Sequence, residues 1–288
     1  MQNFPLVNVK TNKGLKLDGL LWGKCKKGVL LHVHGIGGNF YYNQHLLEPV
    51  FNTLNNFGYS LLSTNNNGSD IYNVWRDTKT SGASNEIFED CLDDIDAWIE
   101  FALEKGFENI ILSGHSLGTE KVVYYMSKGK YKDKLSGVLL LGFADSFGNQ
   151  EKYLSNGKPD YLHEAEEMIE NGNGEKLIQS DPLVHSGFLP KTAKSYVNFY
   201  SLNSELSTAL PLRKGKDLER FKEINVPILG LIGDQEEFTI IPIQNAIELL
   251  KSENKNAEAY QITNCDHEFT NHESEVYEHL SNLIKKIG

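Results

Sequence analysis

The stretch that decides the fold is Asn109-Ile110-Ile111-Leu112-Ser113-Gly114-His115-Ser116-Leu117-Gly118. Its apolar first half is typical of a buried strand, and the residues that follow, 119–126, are compatible with a helix. A strand that turns into a helix around Gly-x-Ser-x-Gly is a nucleophile elbow, in which the turn strains the serine backbone. Strand and helix pass so closely there that Gly114 and Gly118 are needed for room. The stretch therefore predicts a central strand, a helix and a nucleophilic Ser116.

Two later segments supply the partners that such a serine needs, in the chain order serine, acid, histidine. The apolar run 227–233 ends in glycine and leads into the acidic turn Asp234-Gln235-Glu236-Glu237. The run 257–263 leads into Asn264-Cys265-Asp266-His267. A serine hydroxyl is a weak nucleophile near neutral pH, so a base must accept its proton, and His267 is the candidate. A carboxylate must then orient the histidine ring, and the acidic turn offers three.

These motifs resemble those of the α/β-hydrolase superfamily, and the resemblance extends along nearly the whole chain. His34-Gly35-Ile36-Gly37-Gly38, after the apolar run 29–33, is similar to the oxyanion loop of that family. The segments 233–236 and 266–269 are similar to its acid and histidine turns. Within the superfamily the chain is most similar to small single-domain serine esterases. It resembles more loosely the DUF1749-type group, which includes fungal siderophore esterases.

The resemblance also implies which groups complete the site. Family members usually carry the acid three residues after the glycine, which favours Glu236, although Asp234 remains an alternative. Glu237 and Asp145 are weaker alternatives, and Asp145 is kept because some members carry the acid after the sixth strand. The oxyanion requires preorganised N–H donors, and the amide of Leu117, directly after the nucleophile, is one. By resemblance the second donor is the amide of Ile36, and the ring of His34 is expected only to brace the loop.

The rest of the chain alternates between strand and helix patterns, which predicts an α/β fold with a mostly parallel eight-stranded sheet and helices on both faces. Strands are expected near residues 6–10, 16–22, 28–34, 59–64, 109–114, 137–143, 227–232 and 257–263. Further helices are expected at residues 43–57, 84–105, 161–171, 243–252 and 273–286. The segment 145–221 breaks the alternation after the sixth strand, and we predict that it forms a cap on a single domain that spans residues 1–288. If it covers the serine, it should supply apolar contacts from Tyr153, Tyr161, Phe188 and Tyr196.

The composition indicates an acidic protein of 288 residues with 28 basic and 39 acidic side chains, a net charge of −11. This balance argues against nucleic acid or an anionic membrane surface as a partner. No apolar run approaches the roughly 20 residues needed to span a bilayer, and the N-terminus lacks a secretion signal, so we expect a cytoplasmic protein. Three cysteines without paired spacing make a disulfide framework improbable. Neither a cofactor nor a metal ion is implied.

The resulting hypothesis is a serine hydrolase that cleaves a carboxylic ester of a small or medium acyl group through an acyl-enzyme intermediate. A thioesterase, an amidase or an acyltransferase could use the same three residues. A non-catalytic protein that binds a ligand on the same fold is an alternative from another class. We expect the activity to rise with pH through a pKa of His267 near or above the ~6.5 of free histidine.

Overall fold

One eight-stranded sheet forms the centre of the protein in the computed structural model, which describes residues 5–73, 80–178, 180, 190–235 and 238–288. The strands are β1 (Leu6–Lys10), β2 (Lys16–Trp22), β3 (Gly28–Val33), β4 (Tyr59–Thr64), β5 (Asn109–His115), β6 (Leu135–Leu141), β7 (Ile228–Ile232) and β8 (Ala257–Gln261). Their order across the sheet is β1-β2-β4-β3-β5-β6-β7-β8. The strand β2 pairs antiparallel with β1 and β4, and all the other pairs are parallel.

Helices cover both faces of this sheet, as parallel strands require. They are α1 (Gln44–Asn56), α2 (Cys91–Glu104), α3 (Leu117–Lys128), α4 (Ser146–Ser155), α5 (Leu162–Glu170), α6 (Ala193–Tyr200), α7 (Glu219–Lys222), α8 (Ile243–Glu253) and α9 (Glu273–Ile287). Alternate strand residues enter two apolar clusters, one beneath α2, α3 and α8 and the other beneath α1 and α9. No helix within the described ranges is both long and apolar enough to cross a bilayer.

The predicted fold class is confirmed, and one difference concerns the expected helix over residues 84–105. The helix α2 begins only at Cys91, after a 3₁₀ turn over Phe88–Asp90. The carbonyls of Ser84 and Glu86 instead accept hydrogen bonds from Thr192 N–H (2.8 Å) and the Ser195 hydroxyl (2.7 Å). Apolar spacing alone could not reveal that a distant segment would form hydrogen bonds with these carbonyls.

The segment between β6 and β7 carries the helices α4 to α7 and, among its described residues, contains no strand longer than an isolated bridge. Part of it has its own small core, in which the rings of Tyr161 and Tyr196 lie 6.1 Å apart. These two side chains are therefore buried within the insertion rather than free to line a substrate pocket. Tyr153 lies in α4, and Phe188 lies outside the described residues.

A second apolar cluster attaches the insertion to the rest of the molecule. Phe147 and Phe199 pack there with Leu117 and Tyr124 of α3. Since Leu117 directly follows Ser116, the insertion packs against the first turn of the helix that begins at the elbow. A cap over the serine remains a prediction.

Candidate active site

Ser116 is the single residue between β5 and α3, and its backbone is strained. Its φ and ψ are 55° and −126°, a region that residues with side chains rarely occupy. The Ser116 N–H donates to the carbonyl of Leu141 in β6 at 3.0 Å, and the Thr119 hydroxyl donates to the Ser116 carbonyl at 2.7 Å. The Ser116 hydroxyl does not cap α3, and the side chain is partly exposed. The strand β6 and the first turn of α3 thus hold the Ser116 backbone, and the hydroxyl does not take part in these bonds.

The two glycines of the elbow are needed for space, as the sequence predicts. A Cβ atom on Gly114 would lie 2.3 Å from the carbonyl oxygen of Gly118. A Cβ atom on Gly118 would lie 2.4 Å from the carbonyl oxygen of Val33, at the end of β3. Both distances are shorter than any van der Waals contact, so the close crossing of β3, β5 and α3 excludes larger residues.

The loop after β3 brings its backbone against the serine. A Cβ atom on Gly35 would lie 2.9 Å from Ser116 Cβ, which places the Gly35 backbone beside the nucleophile. The buried His34 ring contacts the Gly35 carbonyl through Nδ1 (2.7 Å) and the Ser69 hydroxyl through Nε2 (2.7 Å). A carbonyl can only accept, so Nδ1 carries the proton and Nε2 accepts from Ser69. Because a trans peptide directs its N–H opposite to its carbonyl, this bond turns the Ile36 N–H away from the His34 ring.

His267 lies in the loop after β8, beside the residues that surround the elbow. A Cβ atom on Gly142, which follows β6, would lie 2.8 Å from His267 Cε1, so only glycine leaves room for this ring. The His115 ring packs on it with 4.8 Å between centroids, and His115 Nε2 donates to the His267 carbonyl at 2.8 Å. The Phe238 ring lies on it edge-on at 4.9 Å. Neither ring nitrogen of His267 has a hydrogen-bond partner among the described residues.

The surroundings of His267 favour its neutral form. Burial, followed by the neighbouring His115, lowers the pKa of His267 from 6.5 to about 3, while Asp266 opposes this shift. This direction differs from the expectation of a pKa near or above that of free histidine. A neutral imidazole is the form that can accept a proton from a serine.

Two of the candidate acids already have structural partners. The Asp145 carboxylate caps α4 through the Gly148 N–H (2.8 Å) and forms an ion pair with Arg213 Nη1 (2.7 Å). The Asp234 carboxylate accepts from the Cys265 N–H at 3.1 Å and so ties the end of β7 to the loop that carries His267. Glu236 and Glu237 lie outside the described residues. The structure thus gives Asp145 and Asp234 other partners and does not describe the acid that the spacing favours.

Several residues around the site were not singled out from the sequence. His115 occupies the variable position of Gly-x-Ser-x-Gly, where residue type alone does not reveal the contact with His267. Lys121 and Glu120 are fully buried on α3, although a charged residue usually faces water. Both residues lie in the predicted helix directly after the elbow, and this position is the signal that could have indicated buried partners for their charges.

Metal-binding side chains do not cluster in the described part of the chain in any group that could hold an ion. His32, which shares a strand face with His34, bonds the Ser113 hydroxyl through Nδ1 at 3.1 Å. Burial lowers the pKa of His32 to about 3, and the nearby His115 adds to this effect. His32 is thus a buried neutral histidine with a hydroxyl partner.

Solved structures with similar folds cover almost the whole chain. Est1E from Butyrivibrio proteoclasticus with bound ferulic acid has a TM-score of 0.66 at 17% identity and covers 97% of this chain and 98% of its own. A soluble variant of monoglyceride lipase from Saccharomyces cerevisiae has a TM-score of 0.65 at 15% identity, over 100% and 97%. A carboxyl esterase from Bacillus coagulans in complex with glycerol has a TM-score of 0.65 at 15% identity, over 98% of both chains. These likenesses show the α/β-hydrolase fold.

Sequence comparison identifies the family. No curated protein matches the chain. The family model described as "Protein of unknown function (DUF1749)" matches residues 17–287, which include all of α1 to α9, the strands β3 to β8 and all but the first residue of β2. The chain therefore belongs to the DUF1749 family.

Proposed function

We propose that the protein is a serine hydrolase that cleaves a carboxylic ester of a small or medium acyl group. The observation that carries this proposal is the strained backbone of Ser116. Its hydroxyl does not cap α3, its Cβ lies beside the Gly35 backbone, and it is located at the same C-terminal ends of the strands as His267. Strain of this kind is costly, and it is typical of functional sites. The names of the similar structures support the same chemistry, since they are esterases and a monoglyceride lipase.

In this mechanism the Ser116 hydroxyl attacks the acyl carbon and passes its proton to His267. The negative charge on the former carbonyl oxygen is held by the Ile36 and Leu117 N–H groups, and α3 contributes its positive N-terminal end. When the carbon–oxygen bond of the ester breaks, the alcohol leaves with the proton from His267. Water, deprotonated by the same ring, then attacks the acyl-serine, and the bond between the acyl carbon and the Ser116 oxygen breaks as that oxygen takes the proton back from His267 and the acid leaves.

A carboxylate must orient His267 during this cycle, and we assign that role to Glu236, with Asp234 as the alternative. The assignment rests on the spacing from Gly233 and on the engagement of the other carboxylates. Asp145 is paired with Arg213, and its backbone N–H donates to the Phe238 carbonyl at 3.0 Å. Asp145 therefore helps to hold the loop after β7, which contains the acidic turn, rather than orienting the histidine itself.

The exposed apolar groups at the site favour a substrate with a hydrophobic part. Ile36 is 39% exposed and Phe238 is 40% exposed, although large apolar side chains are usually buried. Ile36 follows Gly35, whose backbone lies beside Ser116, and the Phe238 ring packs on the ring of His267. We assign them to the apolar surface of the substrate, and we propose that the insertion over residues 145–221 limits the length of chain that fits.

The decisive experiment combines a fluorophosphonate probe with a panel of p-nitrophenyl esters of graded chain length. We expect the probe to label Ser116, and the esters to be hydrolysed faster than matched thioesters and amides. The Ser116→Ala variant is the control and should neither react with the probe nor hydrolyse the esters. Absence of labelling in the folded parent would support a ligand-binding protein, and a preference for thioesters or amides would change the substrate class.

A further inference from the structure

A buried ion pair lies one helical turn beyond the nucleophile. Lys121 Nζ in α3 lies 2.5 Å from Glu86 Oε1, and both side chains are at least 98% buried. Gly68 makes room for the pair, because a Cβ atom there would lie 2.3 Å from the Glu86 carboxylate. Burial of two charges costs solvation free energy, so an ion pair in this position requires a reason other than stability.

The second hydrogen bond of Lys121 reaches the loop after β4. Lys121 Nζ donates to Asn66 Oδ1 at 3.2 Å, and the same oxygen accepts from the Gly68 N–H at 2.8 Å. The Asn66 N–H in turn donates to the Ser69 hydroxyl at 2.8 Å. The ion pair is therefore joined through Lys121 to a turn over residues 66–69, which the Ser69 N–H closes by donating to the Asn66 carbonyl at 3.0 Å.

Ser69 connects this turn to the oxyanion loop. Its oxygen accepts from the Asn66 N–H, so its hydrogen is free to be donated to His34 Nε2 at 2.7 Å. His34 Nδ1 then donates to the Gly35 carbonyl at 2.7 Å. In this series each residue donates to the next, from the Asn66 N–H through Ser69 and His34 to the Gly35 carbonyl.

From this continuous series we infer that Lys121 and Glu86 are positioning residues for the oxyanion site, acting through Asn66, Ser69 and His34 on the Gly35–Ile36 peptide. The inference rests on the proposed function, because it assigns the Ile36 N–H to the oxyanion. Burial, and then the charge of Lys121, lower the pKa of His34 to about 3, which keeps the ring neutral. A neutral ring in one tautomer is what the series requires.

The Ser69→Ala variant removes one oxygen atom and with it the two hydrogen bonds in the middle of the series, those to Asn66 and to His34. Full loss of an oxyanion donor costs about 10²–10³-fold, so a displaced donor should lower kcat by roughly 10- to 100-fold with KM nearly unchanged. A trifluoromethyl ketone, which forms a tetrahedral adduct with the serine, should bind more weakly by a similar factor. Ser69→Thr keeps the hydroxyl and should restore most of the activity.

Ser113→Ala is the matched control, because Ser113 is also a buried serine bonded to a buried histidine, His32, but within the described residues its hydroxyl forms no hydrogen bond with the oxyanion loop. We expect its kcat to stay within about twofold of the parent value. Equal losses in the Ser69 and Ser113 variants, or a parent-like kcat in Ser69→Ala, would overturn the role of the series.

The ion pair itself is tested with Glu86→Gln, which keeps the size of the side chain and removes its charge, and with Lys121→Met. Each folded variant should lose kcat rather than KM, by a smaller factor than Ser69→Ala. The ¹⁵N spectrum of the His34 ring gives a readout that requires no activity. We expect the parent ring to be protonated at Nδ1 and bonded at Nε2, and the Nε2 signal to shift towards that of an unbonded nitrogen in both variants.

These two readouts separate the inference from the proposed function. If the parent hydrolyses no ester, the proposed function fails, while the His34 spectrum still shows whether the ion pair controls the ring. If the parent is active and Glu86→Gln leaves both the spectrum and kcat unchanged, the inference is wrong and the proposed function is unaffected.

Discussion

Two regions that meet on α3 differ in whether their reactive or charged side chains have a partner. At the strand ends, the Ser116 hydroxyl does not cap the helix, and the two ring nitrogens of His267 have no partner in the described part of the chain. In the inner region, which comprises residues 66–69, Glu86 and Lys121, the Lys121 ammonium is paired with Glu86 Oε1 and hydrogen-bonded to Asn66 Oδ1. Both regions are close to the same helix, so the local helical structure does not explain why only one of them has paired side chains.

Polar atoms are available for chemistry at the strand ends, and they hold the backbone in the inner region. A buried charge without a partner is strongly disfavoured, so the charged groups of the inner region have fixed partners. At the strand ends the backbone is held by Leu141 and Thr119, which leaves the serine side chain free to react. The following predictions test this division of roles, beginning with the largest effect.

Replacement of Ser116 by alanine should abolish ester hydrolysis, with kcat reduced by about 10⁴-fold or more, because the catalytic residues act as a unit. The stability should change little, since the side chain is partly exposed and does not cap α3. Steady-state kinetics and thermal unfolding of the same preparations measure the two effects. Comparable kcat values in variant and parent would remove Ser116 from the mechanism.

The acid is tested by comparing Glu236→Gln with Asp234→Asn. We expect kcat to fall on the order of 10³–10⁴-fold in the first variant and by less than about tenfold in the second. Asp234 already accepts from the Cys265 N–H, and an asparagine oxygen can accept the same bond. The reverse ranking would assign the histidine-orienting role to Asp234.

Substitutions of the buried ion pair in the inner region should lower the stability of the protein. Lys121→Met leaves the Glu86 carboxylate buried without its partner, and we expect the free energy of unfolding to fall by about 3–5 kcal/mol. The double variant Lys121→Met/Glu86→Leu removes both charges and should lose less than the single variant does. Urea denaturation of parent, single and double variants measures this, and equal losses would show that the unpaired Glu86 charge is not the cause of the lost stability.

The pH dependence of kcat/KM tests the surroundings of His267. The ring must be neutral to act as base, and burial lowers its pKa, so activity should persist as the pH falls below 6.5. An unshifted pKa would leave about 3% of the activity at pH 5, whereas a lowered one should leave most of it. A fall in activity centred at or above pH 6.5 would mean that a carboxylate close to the ring outweighs burial.

The smallest expected effect is that of Phe238→Ala. Loss of this exposed ring should raise KM for longer-chain esters by roughly three- to tenfold, in keeping with the apolar area removed, and should leave kcat largely unchanged. The same substitution should matter less for acetate esters, which do not reach as far. A kcat loss with equal size for all chain lengths would instead show that the ring orients His267.

Much of the fold was predictable because local patterns determine it. The apolar runs and the helical apolar spacings predicted eight strands and the main helices, and each strand lies within a few residues of its expected range. The Gly-x-Ser-x-Gly motif placed Ser116 between β5 and α3, because only glycine tolerates the crossing there. Local patterns failed for residues 84–90, where Thr192 and Ser195 bond the backbone from more than a hundred residues away.

Residue patterns along the chain were enough to predict the fold class, the elbow and the order in which the candidate residues follow one another. The partners of individual side chains became known only from the folded protein: Asp145 is bound by Arg213, Asp234 ties β7 to the histidine loop, and Tyr161 and Tyr196 pack inside the insertion. The reason is that a carboxylate or an aromatic ring can have many partners, and the partner is chosen by which distant segments meet. Strand and helix periodicity depends on neighbours along the chain, whereas hydrogen-bond partnership depends on neighbours in space.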